Sequence, residues 1–188
     1  MAIDQESAAS SLSDVERVQK RTLELVRYSY ASRYQLVWGV LVALGYIAQY
    51  LRPESGISIW AAVIFAGIVG GAVFRIGRSR IRGQPADYRW VWGQVAVVAF
   101  GLLWTGVFTD ATPRQLSALW PSFFMFWMVI FGIFFGRFYV ILGLVVSVLT
   151  AIVYLWSGDL FLPCMAVIVG GALIASGLYL RRIGLGSR

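Results

Sequence analysis

Six apolar runs, each near spanning length, constrain this chain more than any other feature: residues 35–51, 57–74, 90–109, 116–135, 138–156 and 160–180. A bilayer's hydrocarbon core is about 30 Å thick and takes about 20 apolar residues of helix to cross. No water is available there to pair with backbone N–H and C=O groups, so only helices or closed barrels span it. Runs this long and uniformly apolar are helices. The breaks between them carry Pro, Gly or charge: Arg52-Pro53-Glu54-Ser55-Gly56, the basic stretch to Arg89, Asp110 to Arg114, Gly136-Arg137 and Ser157-Gly158-Asp159. Hydrophobic residues make up 59% of the chain, against roughly 45–50% in soluble domains. The expected fold is all-α: a polytopic transmembrane bundle over residues 35–180, with six spans arranged as helical hairpins. A length of 188 residues leaves no room for a second folded domain outside the lipid.

Residues 1–12 are polar and Ala/Ser-rich, and are expected to be disordered. They lack a basic region followed directly by an apolar core, so no cleavable signal peptide is expected. Ser13-Asp14-Val15-Glu16 is a capping-box pattern that opens a basic amphipathic helix over residues 13–34, suited to an anionic inner leaflet or a partner. With six spans and a cytoplasmic N-terminus, every Lys and Arg except Arg52 and Arg114 falls inside, including those of the 181–188 tail. Losing one span would put Arg181 and Arg182 outside. The expected location is a bacterial inner membrane with both termini cytoplasmic. Trp60, Trp120 and Trp156 near outer ends, and Trp90 and Trp92 near an inner end, fit interfacial belts.

One repeat stands out. Ile68-Val69-Gly70-Gly71-Ala72 recurs letter for letter as Ile168-Val169-Gly170-Gly171-Ala172, and the same offset pairs Gly77 with Gly177 and Arg82 with Arg182. Spans 1–2 and 5–6 therefore read as two copies of one hairpin, by duplication or by chance matching in apolar sequence. Across the offset, Arg75, Arg78 and Arg80 face Ala175, Leu178 and Leu180, so the first copy alone ends in a basic extension. Arg75, Arg78 and Arg82 share one helix face. With Arg89 they are the candidate contact for an anionic headgroup or an acidic partner segment; the alternative is charge that only sets topology. The candidate packing glycines are Gly67 and Gly71, Gly132 and Gly136, and Gly170 and Gly171, in patterns that let helices approach closely. They serve either packing within the bundle or an interface with a second copy or a partner protein.

Absences narrow the function. No Asp, Glu, Lys or His lies in the middle of a span, where ion-coupled carriers place such a residue. The chain has no His, one Lys and one Cys, Cys164 inside an apolar run, so no catalytic dyad or zinc spacing can be assembled from sequence. Neither catalytic, metal nor cofactor residues are expected, and the chain reads as no enzyme. The net charge of +7 sits beside spans and not on a recognition module, so nucleic acid is not an expected partner. Gln94, Thr105, Ser147, Thr150, Ser176 and Gln49 are the polar groups expected to bond between helices.

The stretch from Gly136-Arg137-Phe138 through Gly158-Asp159 and Met165 to Ala172, closing on Leu180-Arg181-Arg182, resembles a group of small, uncharacterised bacterial six-helix integral membrane proteins. The resemblance implies a membrane partner role and carries over no individual residue. Two functions follow as expectations. The first is a non-catalytic accessory, scaffold or sensor with a basic cytoplasmic contact surface, its partners being anionic lipids and a protein or second copy of the chain. The alternative is a small channel or facilitator for a lipid, apolar or anionic solute, built from repeated hairpins.

Overall fold

The computed structural model of the protein describes residues 31–82 and 89–186, with side chains at all of these except 72–82, 89–91, 94, 134–135 and 184–186. The expected disordered start and most of the amphipathic helix lie outside the described residues; Ala31 to Tyr34 belong to the first helix. Every regular element described is helical. Helix α1 (Ala31–Leu51) leads through a 3-10 turn (Pro53–Ser55) into α2 (Gly56–Arg82). Then come α3 (Arg89–Val107), α4 (Pro113–Phe135) and α5 (Arg137–Trp156). After a 3-10 turn (Gly158–Leu160) the last helix runs as α6 (Phe161–Met165), a π-helical turn (Ala166–Gly170) and α7 (Gly171–Gly186).

Five stretches are long and apolar enough to cross a membrane: Ala31–Leu51, Pro53–Gly71, Pro113–Ile133, Arg137–Trp156 and Gly158–Ile183. The chain is an integral membrane protein built of helices. In α3 the apolar part among the described residues is shorter, Val95–Val107.

Local chemistry sets the boundaries. Pro113 occupies the first turn of α4, where a missing N–H costs nothing. Thr112 and Gln115 close a reciprocal capping box around it. Between α4 and α5 stands one residue, Gly136, at φ 136°, a conformation that L side chains rarely adopt.

Neighbouring side chains fix the direction of each helix. Beside α2, α1 runs antiparallel: Tyr34 lies at Gly71, Trp38 covers Gly67, and Gly45 faces Trp60 and Val63. It is antiparallel to the last helix too, with Ser32 and Leu36 at Gly177, Gly39 at Ile174, and Ala43 at Gly170. Gly132 meets Val140 and Gly143 meets Met125 and Val129, which sets α4 against α5. Phe138 stacks on Tyr179 with centroids 5.2 Å apart, and Tyr154 meets Phe161 edge-on, so α5 and the last helix also oppose each other. Ser117 near the start of α4 bonds residues near the end of α1.

These contacts make a four-helix core of α1, α4, α5 and the last helix. The core cluster draws on all four: Tyr46, Met125 and Val146, with Phe161, Met165, Ala166, Val169 and Leu173 from the last helix. By contrast α2 flanks α1, and α3 flanks α4 through Gly93 at Trp127 and Gly101 at Trp120. The burial of the spanning windows follows this order, 44% for the last helix and 11% for α2.

Van der Waals contact holds helices together where lipid removes the hydrophobic drive, so absent side chains matter. A Cβ on Gly170 would come within 2.6 Å of Ala43 Cβ and 3.0 Å of the Gly39 carbonyl. One on Gly171 would meet nothing within 4 Å among the described residues. Gly170→Ala is therefore expected to cost about 1–3 kcal/mol by overpacking, read as a fall in thermal unfolding temperature in detergent, while Gly171→Ala leaves it unchanged. Equal effects at the two positions would contradict this packing.

Candidate functional site

One end of the bundle collects positive charge. Arg33 opens α1, Arg137 opens α5, and Arg181 and Arg182 lie in α7; all four are exposed. Two contacts draw these helix ends together: Ser32 Oγ donates to the Gly177 carbonyl at 2.7 Å, and Phe138 stacks on Tyr179. Because α2 opposes α1, its C-terminal turns with Arg75, Arg78 and Arg82 leave the bundle at this same end. The helix is unbroken to Arg82 over 27 residues. At 1.5 Å per residue it measures about 40 Å, longer than the roughly 30 Å of a bilayer's hydrocarbon core. Arg89 is the first residue of α3 at that end.

Arg52 and Arg114 lie at the opposite end. Arg114 is tied into the fold: Nη2 donates to the Tyr154 carbonyl at 2.8 Å, and the guanidinium lies 5.3 Å and 5.1 Å from the Tyr154 and Phe161 rings. Tyr154 is in the last turn of α5, where carbonyls have no partner within the helix and carry the negative end of its dipole. Arg114 thus caps α5. Its charge is spent on structure, whereas the exposed arginines of the basic end project outward.

The candidate packing glycines separate by surroundings. Trp38 lies directly on Gly67, Gly132 sits where a Cβ would be 2.5 Å from the Val140 nitrogen, and Gly170 is pressed on α1. Gly71 leaves ordinary room, 3.6 Å to Tyr34. Gly136 serves the turn and Gly171 faces open space; neither has a neighbour within 4 Å of an added Cβ among the described residues. Sequence reasoning passed over Gly39, Gly101, Gly143 and Gly177, whose added Cβ atoms would all meet a neighbour at 2.6–2.8 Å. A signal was present, since Gly170 and Gly177 are seven apart and share the face that α1 covers. The two copies of the repeated motif also differ: the first is α-helical with Ile68 62% exposed, while Ile168 to Gly170 lie in the π turn with Val169 3% exposed.

A buried polar network at the other end was not expected from sequence beyond Gln49. Pro121, inside α4, has no N–H and so leaves the Ser117 carbonyl without its helical partner. Tyr46 of α1 supplies the missing donor, its hydroxyl 2.9 Å from that carbonyl. Gln49 Nε2 donates to Ser117 Oγ at 3.2 Å, and Trp60 Nε1 of α2 donates to Gln49 Oε1 at 2.8 Å. Three helices are joined by one set of satisfied bonds.

Other polar groups behave differently. Thr105 bonds the Gly101 carbonyl of its own helix, and the Thr150 hydroxyl, 2% exposed, has no partner among the described residues. Ser176 Oγ lies 2.8 Å from both Gln35 Oε1 and the Leu173 carbonyl, while Gln35 Nε2 has no partner among the described residues. One hydroxyl proton cannot serve two acceptors. Turning the Gln35 amide lets Nε2 donate to Ser176 Oγ while Ser176 donates to Leu173, which satisfies each donor.

Comparison with protein families, with curated proteins and with solved structures gives no match for this chain.

Tyr46→Phe leaves the Ser117 carbonyl unpaired and is expected to cost about 1–2 kcal/mol. Pro121→Ala returns an N–H to the same carbonyl, so Tyr46→Phe should cost measurably less in that background. Equal costs in a double-mutant cycle of thermal unfolding would show that the hydroxyl has no such role.

Proposed function

We propose that the chain is a six-span, non-catalytic inner-membrane protein of accessory or scaffold type, with both termini cytoplasmic and three helical hairpins. Its basic end is the contact surface for phosphate-bearing or carboxylate-bearing partners. The observation that carries this is the gathering of Arg33, Arg137, Arg181 and Arg182, all exposed, with the Arg75 to Arg82 turns of α2 at one end. At the other end are Arg52 and Arg114, the second of them bound to Tyr154. Alternating helix directions support α3 as a sixth crossing, since α4 opposes it. Positive charge on the cytoplasmic flanks then sets orientation.

The bundle centre favours scaffold over channel. Tyr46, Met125, Val146 and Met165, each 3% exposed or less, fill the space where a path between the core helices would run. Arginines at the headgroup level pair bidentately with phosphate or carboxylate, and each basic residue near an anionic surface contributes about 1 kcal/mol.

The test is Arg75→Gln, Arg78→Gln and Arg82→Gln together, in nanodiscs of mixed phosphatidylglycerol and phosphatidylcholine. Three lost contacts at about 1 kcal/mol each predict a fall of about a hundredfold in preference for the anionic lipid, with orientation unchanged. Altered topology with lipid preference intact would reduce these arginines to topogenic charge.

A further inference from the structure

The two ends of the bundle also differ in where carboxylates stand. Among the described residues the basic end holds nine arginines, Arg33, the five of residues 75–89, Arg137, Arg181 and Arg182, and no Asp or Glu. The opposite end holds Glu54, Asp110 and Asp159 against Arg52 and Arg114. One end is therefore close to neutral, while the other carries positive charge that no carboxylate of the described bundle can offset. Like charges gathered on one surface repel each other and draw anions from their surroundings.

The chain carries an anion of its own next to that surface. Residues 1–16 contain Asp4, Glu6, Asp14 and Glu16 and no Lys or Arg, so four of the nine acidic residues of the sequence fall in its first sixteen positions. Helix α1 is described from Ala31, at the basic end, where Ser32 bonds the Gly177 carbonyl. Residues 1–30 hold no apolar run of the roughly 20 residues a crossing needs, so they stay on the side where α1 begins. Reach is not limiting. Glu16 precedes Arg33 by 17 positions, up to about 60 Å of chain, against about 8–10 Å between neighbouring helix axes.

Local partners compete only in part. Asp14 with Arg17 and Glu16 with Lys20 can pair along one helix, at about 0.2–0.5 kcal/mol each. Asp4 and Glu6 have no Lys or Arg within ten positions. For all four the arginines of the bundle end are the largest positive charge on their side of the membrane. A segment tethered to the same chain meets them at an effective concentration on the order of millimolar for a short linker.

We propose that the acidic segment from Asp4 to Glu16 docks on the arginines of the basic end, and gives way where the surrounding leaflet is rich in anionic phospholipid. The chain thereby shields its own contact surface. The shielding rests on the reading of this end as a contact surface; the docking rests on charge alone.

The experiment uses the full chain with Cys164→Ala, Ser10→Cys and Ile183→Cys, one chain per nanodisc of phosphatidylcholine, treated with a short bismaleimide. Ser10 lies within the acidic segment, and Ile183, 40% exposed, follows Arg181 and Arg182. The yield of intramolecular cross-link is read by mass spectrometry at low salt. Introducing Asp4→Asn, Glu6→Gln, Asp14→Asn and Glu16→Gln together is expected to lower it about tenfold, the ratio that 1.4 kcal/mol gives. Salt at about 1 M, where the Debye length is about 3 Å, should lower it likewise. These four positions lie outside the spanning helices, so thermal unfolding should not move. Discs of phosphatidylglycerol should bring the unaltered chain down to the level of the neutralised one. Equal yields with and without the four carboxylates in phosphatidylcholine would overturn the docking. A charge-dependent yield that is the same in both lipids would overturn the shielding. Cross-linking in phosphatidylcholine involves no anionic lipid, so it stands or falls apart from the lipid preference lost with Arg75→Gln, Arg78→Gln and Arg82→Gln.

Discussion

Pro121 breaks a hydrogen bond inside a helix that has no water to turn to, and the rest of the bundle is arranged around its repair. An unpaired carbonyl in hydrocarbon costs several kcal/mol. Tyr46, on a different helix, provides the replacement donor at 2.9 Å. Gln49 and Trp60 extend the repair so that α1, α2 and α4 share one network. The bond is directional, and it fixes the height of α1 against α4 where apolar packing alone would tolerate sliding.

At the other end of α1 close packing is added to hydrogen bonds, Ser32 Oγ to the Gly177 carbonyl at 2.7 Å and Gln35 with Ser176 at 2.8 Å. Gly39, Gly170 and Gly177 bring the last helix close enough for backbone atoms to touch side chains across the seam. Helix α1 is thus hydrogen-bonded at both ends and buttressed along its side by α2, which makes it the structural centre. Around it α4 and α5 complete the core, with Met125, Val146 and Met165 filling the middle. Such a bundle is suited to presenting its ends. Four exposed arginines, Arg33, Arg137, Arg181 and Arg182, stand at one end, against exposed Arg52 and the α5-capping Arg114 at the other.

Length and apolar character were enough to read the helices, five of which are long and apolar enough to cross a membrane, with a shorter apolar stretch in α3. The run expected over residues 57–74 is a helix that continues to Arg82, and the one-residue break at Gly136 stands where glycine and charge interrupt the longest apolar stretch. Apolar length carries that information because the bilayer imposes it. Pairing of helices does not follow from length, and there the sequence was less informative. The repeated Ile-Val-Gly-Gly-Ala motif draws the eye to Gly171, yet the close approach is at Gly170 and Gly177, since only a partner's surface decides which glycine face is used. Tyr46 carried no mark, as its role exists only because Pro121, 75 positions later, is folded against it. The Thr112 to Gln115 capping box was legible in principle, since Thr followed three residues later by Gln is a capping-box pattern.

Sidedness is the claim on which the account of the basic end rests, and cysteine accessibility reads it directly. In a Cys164→Ala background, single cysteines at Glu54, Asp110, Arg137 and Ile183 are labelled in intact cells with a membrane-impermeant maleimide, before and after permeabilisation. Glu54→Cys and Asp110→Cys should react in intact cells, and Arg137→Cys and Ile183→Cys only after permeabilisation. Labelling of Arg137→Cys from outside, or of Asp110→Cys only from within, would place the arginines on both faces and contradict a single basic contact surface.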